Sequence, residues 1–268
     1  MAKGRVWLIG GTQESKYLAQ AIAAEQMACV VSITTESARN LYVSHLCLSV
    51  EVAQFDEATL TAFLQQLQQD GAIAIVDASH PFATAISQLA IAVATKLDIP
   101  YLRYERPAPL PAQQTLAEHE GTVTTVESFD ALLASNFLVG QRVLLTIGYK
   151  SLALFRPWQA RATLFARILP SPVALEAAIA AGFAADRLIA LRPPISPDLE
   201  KALWQQWRIT QVVAKASGQP GGELTKRQIA VELGVQLILI QRPTLVYPQQ
   251  TADLQAVVQF CRQHLHPA

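Results

Sequence analysis

Four short polar segments of the sequence combine residue types that could bind a nucleotide or another anion. The first is Gly10-Gly11-Thr12, which follows an apolar, strand-like run and precedes a helical pattern. Glycines let a backbone turn sharply and approach a phosphate closely, and a helix N-terminus offers N–H donors. Thr12 could cap that helix or bond a phosphate oxygen. Because Thr12 and Ser15 replace two glycines of the G-x-G-x-x-G fingerprint, an ordinary tight turn stays equally open.

The second segment begins at Asp77, at the end of another buried, strand-like run. Polar residues at the carboxyl end of a parallel strand lie where such sheets bind their ligands. Asp77 or Ser79 could cap the next helix, and Pro81 suits its first turn. His80 titrates near neutral pH and could donate a proton. Alternatively, His80 bonds a backbone carbonyl and Phe82 fills the core.

The other two segments place lysines in loops that follow strand-like runs. Their residues of interest are Gly148, Tyr149 and Lys150 in one loop, and Lys215, Ser217, Gly218 and Lys226 in the other. Glycine-rich loops can cradle an anionic group with their N–H donors. Each loop is also compatible with an ordinary connection, and its lysines with solvated charges. The second loop lacks the spacing of a Walker A motif, so it does not indicate an ATPase.

The elements that must position these segments alternate along the chain. Short apolar runs predict strands, and apolar residues at helical spacing predict helices. The predicted strands are residues 6–10, 28–34, 46–50, 72–77, 101–104, 142–146, 163–168, 187–191, 211–215 and 236–240. The predicted helices are residues 14–25, 56–70 with Asp56 as the cap, 84–97, 172–181, 197–207, 226–233 and 251–264, with an amphipathic turn at 152–158.

This alternation predicts an α/β protein with two doubly wound, Rossmann-like lobes, each built on a parallel sheet with helices on both faces. The segment 106–120 contains three prolines and is predicted to link the lobes. We assign residues 1–110 to a nucleotide-binding lobe and residues 111–268 to a substrate-binding lobe. The last helix could pack against either lobe. A ligand cleft between the lobes is the expected place for a cofactor and a large substrate.

The composition excludes several classes of protein. Hydrophobic residues make up 51% and charged residues 16% of the chain, which indicates a sizeable core and argues against disorder. The formal net charge of zero argues against a general nucleic-acid binder. The sequence contains neither a membrane-length apolar stretch nor a signal-peptide pattern. Three widely spaced cysteines, without a metal-ligand pattern, favour buried thiols in a reducing cytoplasm and no metal site.

Taken together, the motifs resemble the precorrin-6A reductases and their cobalt-precorrin counterparts, which act on a corrin-ring precursor in cobalamin biosynthesis. The matching residues are Gly10-Gly11-Thr12-x-Glu14, Asp77-Ala78-Ser79-His80-Pro81-Phe82-Ala83, Leu102-Arg103-Tyr104-Glu105-Arg106-Pro107, Thr146-x-Gly148-x-Lys150, Lys215-x-Ser217-Gly218 with Lys226, and Arg242-Pro243. The matches extend over nearly the whole chain. The Ser-His-Pro-Phe-Ala run followed by Arg-x-Glu-Arg-Pro is the most distinctive part.

The resemblance implies an NAD(P)H-dependent oxidoreductase acting on a CH–CH group. A hydride would pass from NADPH, or alternatively NADH, to one carbon of a ring double bond, with a proton added at its neighbour. The implied cofactor-binding residues are Gly10, Gly11, Thr12, Arg39, Ser79, His80 and Pro81. The implied substrate-binding residues are Arg103, Lys150, Lys215, Ser217, Gly218 and Lys226, with Arg106 and Arg242 as further cations for the carboxylates of the macrocycle. The proton donor stays open between His80, Tyr149 and a water molecule.

The chain departs from the family pattern at three places. Pro193-Pro194-Ile195-Ser196 replaces a frequent Gly-Pro-Phe-Ser run, and Ala216 follows Lys215 where an acidic residue or asparagine is frequent. After the second strand, Arg39 is the only candidate to replace a frequent Gly-Arg pair. Since an arginine there would meet a 2′-phosphate, the preference between NADPH and NADH stays open.

Two alternative functions remain from the residues alone. One is a Rossmann-type reductase or epimerase of another small metabolite. Neither Tyr17 nor Tyr42 has the lysine four residues on that short-chain dehydrogenases use, which weakens this alternative. The other is a non-catalytic NAD(P)-binding sensor, against which the lysine-flanked loop 215–226 argues mildly. The expected partner is the small-molecule substrate, with no nucleic acid or membrane, in a monomer or small homo-oligomer.

Overall fold

The computed structural model describes residues 4–105, 121–218 and 221–265. The chain forms two compact units, one of Met1–Pro107 with Pro243–Ala268 and one of Ala108–Arg242. The second unit therefore ends at Arg242, and the last helix, which the sequence left free to join either lobe, belongs to the first unit. The predicted boundary at residue 110 and the predicted link 106–120 lie outside the described residues.

Unit 1 contains a six-stranded, all-parallel sheet. Its strands are β1 (Arg5–Ile9), β2 (Ala28–Ile33), β3 (Leu48–Val52), β4 (Ile73–Asp77), β5 (Tyr101–Tyr104) and β12 (Gln250–Thr251). Its helices are α1 (Gln13–Ala24), α2 (Glu57–Gln69), α3 (Thr84–Lys96) and α8 (Leu254–Leu265), with a 3₁₀ helix at Glu36–Leu41. The order β3-β2-β1-β4-β5-β12 is the 3-2-1-4-5-6 order of dinucleotide-binding domains, with β12 in sixth place.

The alternation of side chains along β1 explains why helices cover both faces of this sheet. Val6 and Leu8 join a core that includes residues of α1 and α8. Trp7 and Ile9 point to the other face and join a core that includes residues of α2 and α3. Because the side chains from Val6 to Ile9 are all buried, this strand requires helices on both sides, as predicted.

Unit 2 repeats this architecture. Its strands are β6 (Val123–Val126), β7 (Arg142–Thr146), β8 (Thr163–Ile168), β9 (Leu188–Ala190), β10 (Gln211–Lys215) and β11 (Gln236–Ile240). Its helices are α4 (Phe129–Ala134), α5 (Pro172–Ala180), α6 (Pro197–Gln206) and α7 (Glu223–Leu233), with 3₁₀ helices at Tyr149–Trp158 and Ala185–Arg187. The strands are all parallel, in the order β9-β8-β7-β10-β11-β6. This is again the 3-2-1-4-5-6 order, with β6 in sixth place.

The doubly wound, parallel architecture predicted from the sequence is confirmed, and the differences are local. Asp56 caps α2 as predicted, but β3 begins two residues later and α7 three residues earlier than predicted. The sequence did not predict β6, α4 or β12, because short elements without a long apolar run carry little periodic signal. The prediction that Asp77 or Ser79 caps α3 is wrong: the N-cap is Ala83, which makes no side-chain cap bond.

Two further features concern the sequence predictions. Cys29 and Cys261 are buried in the core of unit 1, as predicted, and Cys47 is half-buried. Burial raises the pKa of the Cys29 thiol, so this side chain behaves as a small apolar group.

Among the helices of the described residues, none combines the length and apolarity that a membrane span requires.

Candidate functional site

Thr12, Ser79 and Pro81, three of the residues predicted to bind the cofactor, lie together at the point where the strand order of unit 1 reverses. β1 pairs with β2 on one side and with β4 on the other. The helices that follow β1 and β4 pack on opposite faces, which opens a crevice at the carboxyl ends of these strands. The Thr12 hydroxyl donates to the Ala78 carbonyl across it, at 2.8 Å. The crevice is lined by Thr12, Glu14, Ala78, Ser79, Pro81, Arg103 and Tyr104.

The glycine turn after β1 leads directly into the N-terminus of α1. Gly11 has φ +94°, and a Cβ added there would meet no heavy atom within 4 Å. Thr12 is the N-cap of α1 and forms a capping box with Ser15. The Gly11 N–H donates to the Tyr42 hydroxyl at 2.8 Å. At this helix N-terminus a side chain on Gly11 would therefore project into open space, and the Gly11 N–H is bonded to Tyr42.

A buried carboxylate organises the other wall of the crevice. Asp77, the last residue of β4, has no exposed surface. Its carboxylate accepts hydrogen bonds from the Ser79 N–H at 2.9 Å, the Ser87 hydroxyl at 2.5 Å and the Tyr101 hydroxyl at 2.6 Å. Burial and the Asp77 charge raise the pKa of Tyr101. This phenol is therefore a permanent donor to the carboxylate.

Arg103, predicted to bind substrate, belongs to the same network. Its guanidinium is 1% exposed and pairs with Asp77 at 2.8 Å and with Glu105 at 2.8 Å. It also donates to the Ser79 hydroxyl at 3.0 Å, and it lies over the Tyr247 ring at 5.3 Å. The structure therefore places Arg103 beside residues that were predicted to bind the cofactor, where it hydrogen-bonds to Ser79 in the crevice.

His80 and Arg39 lie on the exposed side of unit 1. His80 Nδ1 accepts the Phe82 N–H at 3.2 Å, and Phe82 is half-buried. Phe82 is therefore not part of the buried core, contrary to that part of the alternative interpretation. Arg39 lies in the 3₁₀ helix after β2, where its Nε donates to Glu36 at 2.6 Å and its Nη1 donates to the Val50 carbonyl. In such folds, this loop recognises the adenosine ribose.

Unit 2 has its own reversal point, between β7 and β10. The Thr146 hydroxyl donates to the Val213 carbonyl there, at 3.2 Å. The loops that leave these strands carry Lys150, which is exposed, and Lys215, which is half-buried with its Nζ 5.7 Å from the Phe129 ring centre. Burial and the charge of Lys150 lower the pKa of Lys215 to about 8. Tyr149 is half-buried beside Lys150, so a tyrosine and two lysines share this reversal point.

The glycine-rich loop after β10 is hydrogen-bonded to a carboxylate at the start of the helix that follows it. Gly218 has φ +73°, and its N–H donates to the Glu223 carboxylate at 2.9 Å. Glu223 is buried and pairs with Arg227 at 3.0 Å. The buried Ser217 packs against Gly221, where an added Cβ would lie 1.7 Å from the Ser217 hydroxyl. The donor predicted to cradle an external anion is thus satisfied within the protein.

Lys226 is buried behind this loop. It is 6% exposed and donates to the Gly221 carbonyl at 2.7 Å. Burial and the nearby Arg167 lower its pKa to about 8, although Glu200 and Glu223 oppose the shift. Arg242 donates to the Ala216 carbonyl at 2.9 Å. Arg106 lies outside the described residues.

The structure thus divides the predicted residues between two strand-end clusters. The first contains Gly10, Gly11, Thr12, Ser79, Pro81 and Arg103, with His80 and Arg39 on adjoining loops, and the second contains Tyr149, Lys150, Lys215, Ser217 and Gly218, with Lys226 behind them. Sequence reasoning missed Tyr42, Tyr104 and Glu223. Tyr42 lies nine residues beyond β2 in a segment without periodicity, so no local signal could have identified it.

Comparisons with known proteins agree with this architecture. Residues 5–262 match the model of the family described as Precorrin-6x reductase CbiJ/CobK. Cobalt-precorrin-6A reductase of Synechocystis is 47% identical over 260 residues, which cover 97% of each chain. The protein of that name from Salmonella typhimurium is 31% identical over 254 residues, 94% of this chain and 92% of the relative. The solved structure of CobK precorrin-6A reductase superposes with a TM-score of 0.75 at 25% identity, over 97% of each chain.

Proposed function

The chain belongs to the precorrin-6x reductase family, and on this premise we propose that it reduces cobalt-precorrin-6A or precorrin-6A in cobalamin biosynthesis. It is an oxidoreductase that acts on a CH–CH group with a nicotinamide cofactor. The observation that carries this proposal is the family match over residues 5–262, which includes the polar strand ends of both units. No feature of the described residues favours the small-metabolite reductase or the sensor.

We place the dinucleotide at the crevice of unit 1, beside the carboxyl ends of β1 and β4. The Gly11 N–H, which donates to the Tyr42 hydroxyl, lies at the positive N-terminal end of α1, and a side chain on Gly11 would project into open space. When bound, the nicotinamide supplies the hydride for one carbon of the ring double bond. The task of the protein is to orient its ligands: the turn from Gly10 to Thr12 binds the pyrophosphate, and Ser79, held by Arg103, lines the opposite wall.

We propose NADPH as the preferred cofactor because of the pair formed by Arg39 and Glu36. An acidic residue in this loop usually accepts the 2′-hydroxyl of NADH, whereas an arginine accommodates the 2′-phosphate of NADPH. The Glu36 carboxylate is already paired with Arg39, which reduces its repulsion of a phosphate. Arg39→Met should weaken binding of NADPH and leave the affinity for NADH unchanged, while Arg262→Met, at another exposed ion pair of unit 1, should alter neither.

The reversal point of unit 2 supports binding of a polycarboxylate macrocycle. Lys150 and Lys215 repel each other there, which helps to lower the pKa of Lys215. A substrate carboxylate near both ammonium groups would relieve this repulsion and would be held by two positive charges. Tyr149 lies at the reversal point of unit 2 and His80 lies in unit 1. Tyr149→Phe and His80→Gln therefore test the two side chains as proton donors separately.

We propose the cobalt-containing macrocycle as the physiological substrate. Its support is that the two relatives above 30% identity carry the name cobalt-precorrin-6A reductase. The test is anaerobic oxidation of NADPH or NADH, followed by the loss of nicotinamide absorbance, with cobalt-precorrin-6A and precorrin-6A offered separately. We expect oxidation that depends on a macrocycle and is fastest with NADPH and the cobalt form. Folded protein that oxidises neither nucleotide with either macrocycle would contradict the proposed function.

A further inference from the structure

The hydroxyl of Tyr42 accepts a hydrogen bond from a backbone N–H of the glycine turn. It accepts the Gly11 N–H at 2.8 Å, and the Ser15 Oγ lies 2.6 Å from the same oxygen. The Ser15 hydroxyl donates its own proton to the Thr12 carbonyl at 2.7 Å, so the proton between Tyr42 and Ser15 belongs to Tyr42. Toward Gly11, the phenol oxygen is therefore an acceptor, which is the role of a phosphate oxygen at such a turn.

The turn is shaped to admit this phenol. A Cβ on Gly10 would lie 2.4 Å from the Tyr42 hydroxyl oxygen and 2.6 Å from Val31 Cγ1. The lack of a side chain at Gly10 therefore allows the Tyr42 hydroxyl to approach the turn. A side chain on Gly11, in contrast, would project into open space. The Tyr42 N–H donates to the Arg39 carbonyl at 3.0 Å, so Tyr42 directly follows the 3₁₀ helix that we assign to the 2′-phosphate. One short segment therefore reaches both the ribose loop and the phosphate turn.

A phosphate competes well against this phenol for the Gly11 N–H. Burial raises the pKa of Tyr42, against the opposing hydrogen bonds to Gly11 and Ser15, so the hydroxyl is neutral near pH 7. Charge-assisted hydrogen bonds are roughly twice as strong as neutral ones, and the N-terminus of α1 favours an anion. Tyr42 is only half-buried, so its hydroxyl can exchange the Gly11 N–H for water.

We propose that Tyr42 is a further residue of the cofactor site, which holds the Gly11 N–H in the free protein and yields it to a cofactor phosphate. The inference rests on the proposed nicotinamide function. Its consequence is that cofactor binding breaks one protein hydrogen bond, which reduces the affinity of the wild-type protein for any ligand with a pyrophosphate at this turn. Ligands that engage the ribose loop alone do not break it.

The test compares Tyr42→Phe with the wild-type protein in direct binding measurements. Since the variant lacks the competing hydroxyl, we expect its Kd for NADPH to fall by about two- to tenfold, the value of one neutral hydrogen bond. Adenosine 2′-phosphate has no pyrophosphate and should bind both proteins equally. Tyr17→Phe is the matched control, because Tyr17 lies on α1 and is 56% exposed. Calorimetry or the fluorescence of bound NADPH gives each Kd without turnover.

The amide resonance of Gly11 provides a second measurement. In the ligand-free protein, Tyr42→Phe should shift this ¹⁵N–¹H resonance, and Tyr17→Phe should not. Unchanged or weaker binding of NADPH by Tyr42→Phe, or a Gly11 resonance that does not move, would overturn the inference while leaving the reductase assignment intact. Wild-type protein that binds neither NADPH nor NADH would overturn the proposed function and this inference together. An equal gain for adenosine 2′-phosphate would indicate a structural effect and would also overturn it.

Discussion

At the scale of single residues, the crevice of unit 1 depends on charges that are themselves buried. Asp77 and Arg103 are 0% and 1% exposed, and both bond Ser79, which lines the crevice. A buried pair is costly to desolvate, and it is retained here by the hydrogen bonds that satisfy both partners. We regard Arg103 as a positioning residue whose effect on the ligand passes through Ser79.

Arg103→Met should lower the free energy of unfolding by about 3–5 kcal/mol, because it leaves the Asp77 carboxylate buried without its cation. Urea denaturation provides the measurement. Arg262→Met is the matched control, since it breaks an exposed pair with Glu25 and should cost at most about 1 kcal/mol. Similar losses of unfolding free energy in the two variants would show that the buried pair of Arg103 and Asp77 does not stabilise this part of unit 1.

Gly11→Ala should separate backbone strain from loss of ligand binding. The substitution places a methyl group at φ +94° in open space, so its stability cost is about 1–2 kcal/mol. The same methyl group would project where a phosphate approaches, and we expect the Kd for NADPH to rise about tenfold or more, equivalent to 1.4 kcal/mol. Gly140→Ala, at φ +73° and also in open space, should match the stability cost without changing the Kd. Equal Kd values in both variants would count against the phosphate turn.

At the scale of elements, the loop between β10 and α7 is a self-contained polar unit. Glu223 accepts the Gly218 N–H, and Lys226 donates to the Gly221 carbonyl, so the first turn of α7 satisfies the loop that precedes it. The loop thereby withdraws Lys226 from water and lowers the pKa of its ammonium group. Its charge near neutral pH is consequently sensitive to what binds beside it.

Lys226→Met should change the pH dependence of stability. The pKa of Lys226 is about 8 in the folded protein and about 10.5 when unfolded. Between these values the unfolded state binds more protons, so this residue makes the free energy of unfolding rise with pH. Denaturation at pH 7.5, 8.5 and 9.5 should show this rise in the wild-type protein and a smaller rise in Lys226→Met. Lys201→Met, at an exposed pair with Glu232, should retain it, and the same slope in all three proteins would refute the lowered pKa.

At the scale of the whole molecule, the sixth strand of each unit pairs with a strand that is distant in the sequence. In unit 1 this strand is β12, which pairs with β5 after the chain returns from unit 2. In unit 2 it is β6, which precedes the rest of the unit and pairs with β11. The returning segment also contributes α8, which buries Val257, Phe260 and Cys261 in the core of unit 1.

Phe260→Ala should therefore destabilise unit 1, although Phe260 follows the whole of unit 2 in the sequence. The side chain is 6% exposed, and the expected cost is about 3–5 kcal/mol. Amide hydrogen exchange should accelerate in β1, β2 and β4 and stay slow in β7 and β10. Phe137→Ala, at a side chain 41% exposed in unit 2, should cost less than about 1 kcal/mol. Faster exchange confined to unit 2 would contradict the assignment of α8.

What the sequence by itself determined is local. Continuous apolar runs such as Val143-Leu144-Leu145 predicted parallel strands, helical spacing predicted the helices, and Asp56 predicted a cap, because these signals depend on neighbouring residues. The polar segments after β1, β4, β7 and β10 also follow from the sequence, because the strand ends of a parallel sheet share one edge. The family pattern along the chain then indicated the reaction.

Only the tertiary structure decided which of these polar groups meet. Arg103 pairs with Asp77, 26 residues away, and Tyr42 bonds Gly11, 31 residues away. Neither contact has a periodic signature, because each depends on how separate loops pack at the end of the sheet. The strand β12 is likewise defined by its pairing with β5. Long-range packing, rather than residue type, thus buried Arg103 against Asp77 and placed Tyr42 on the glycine turn.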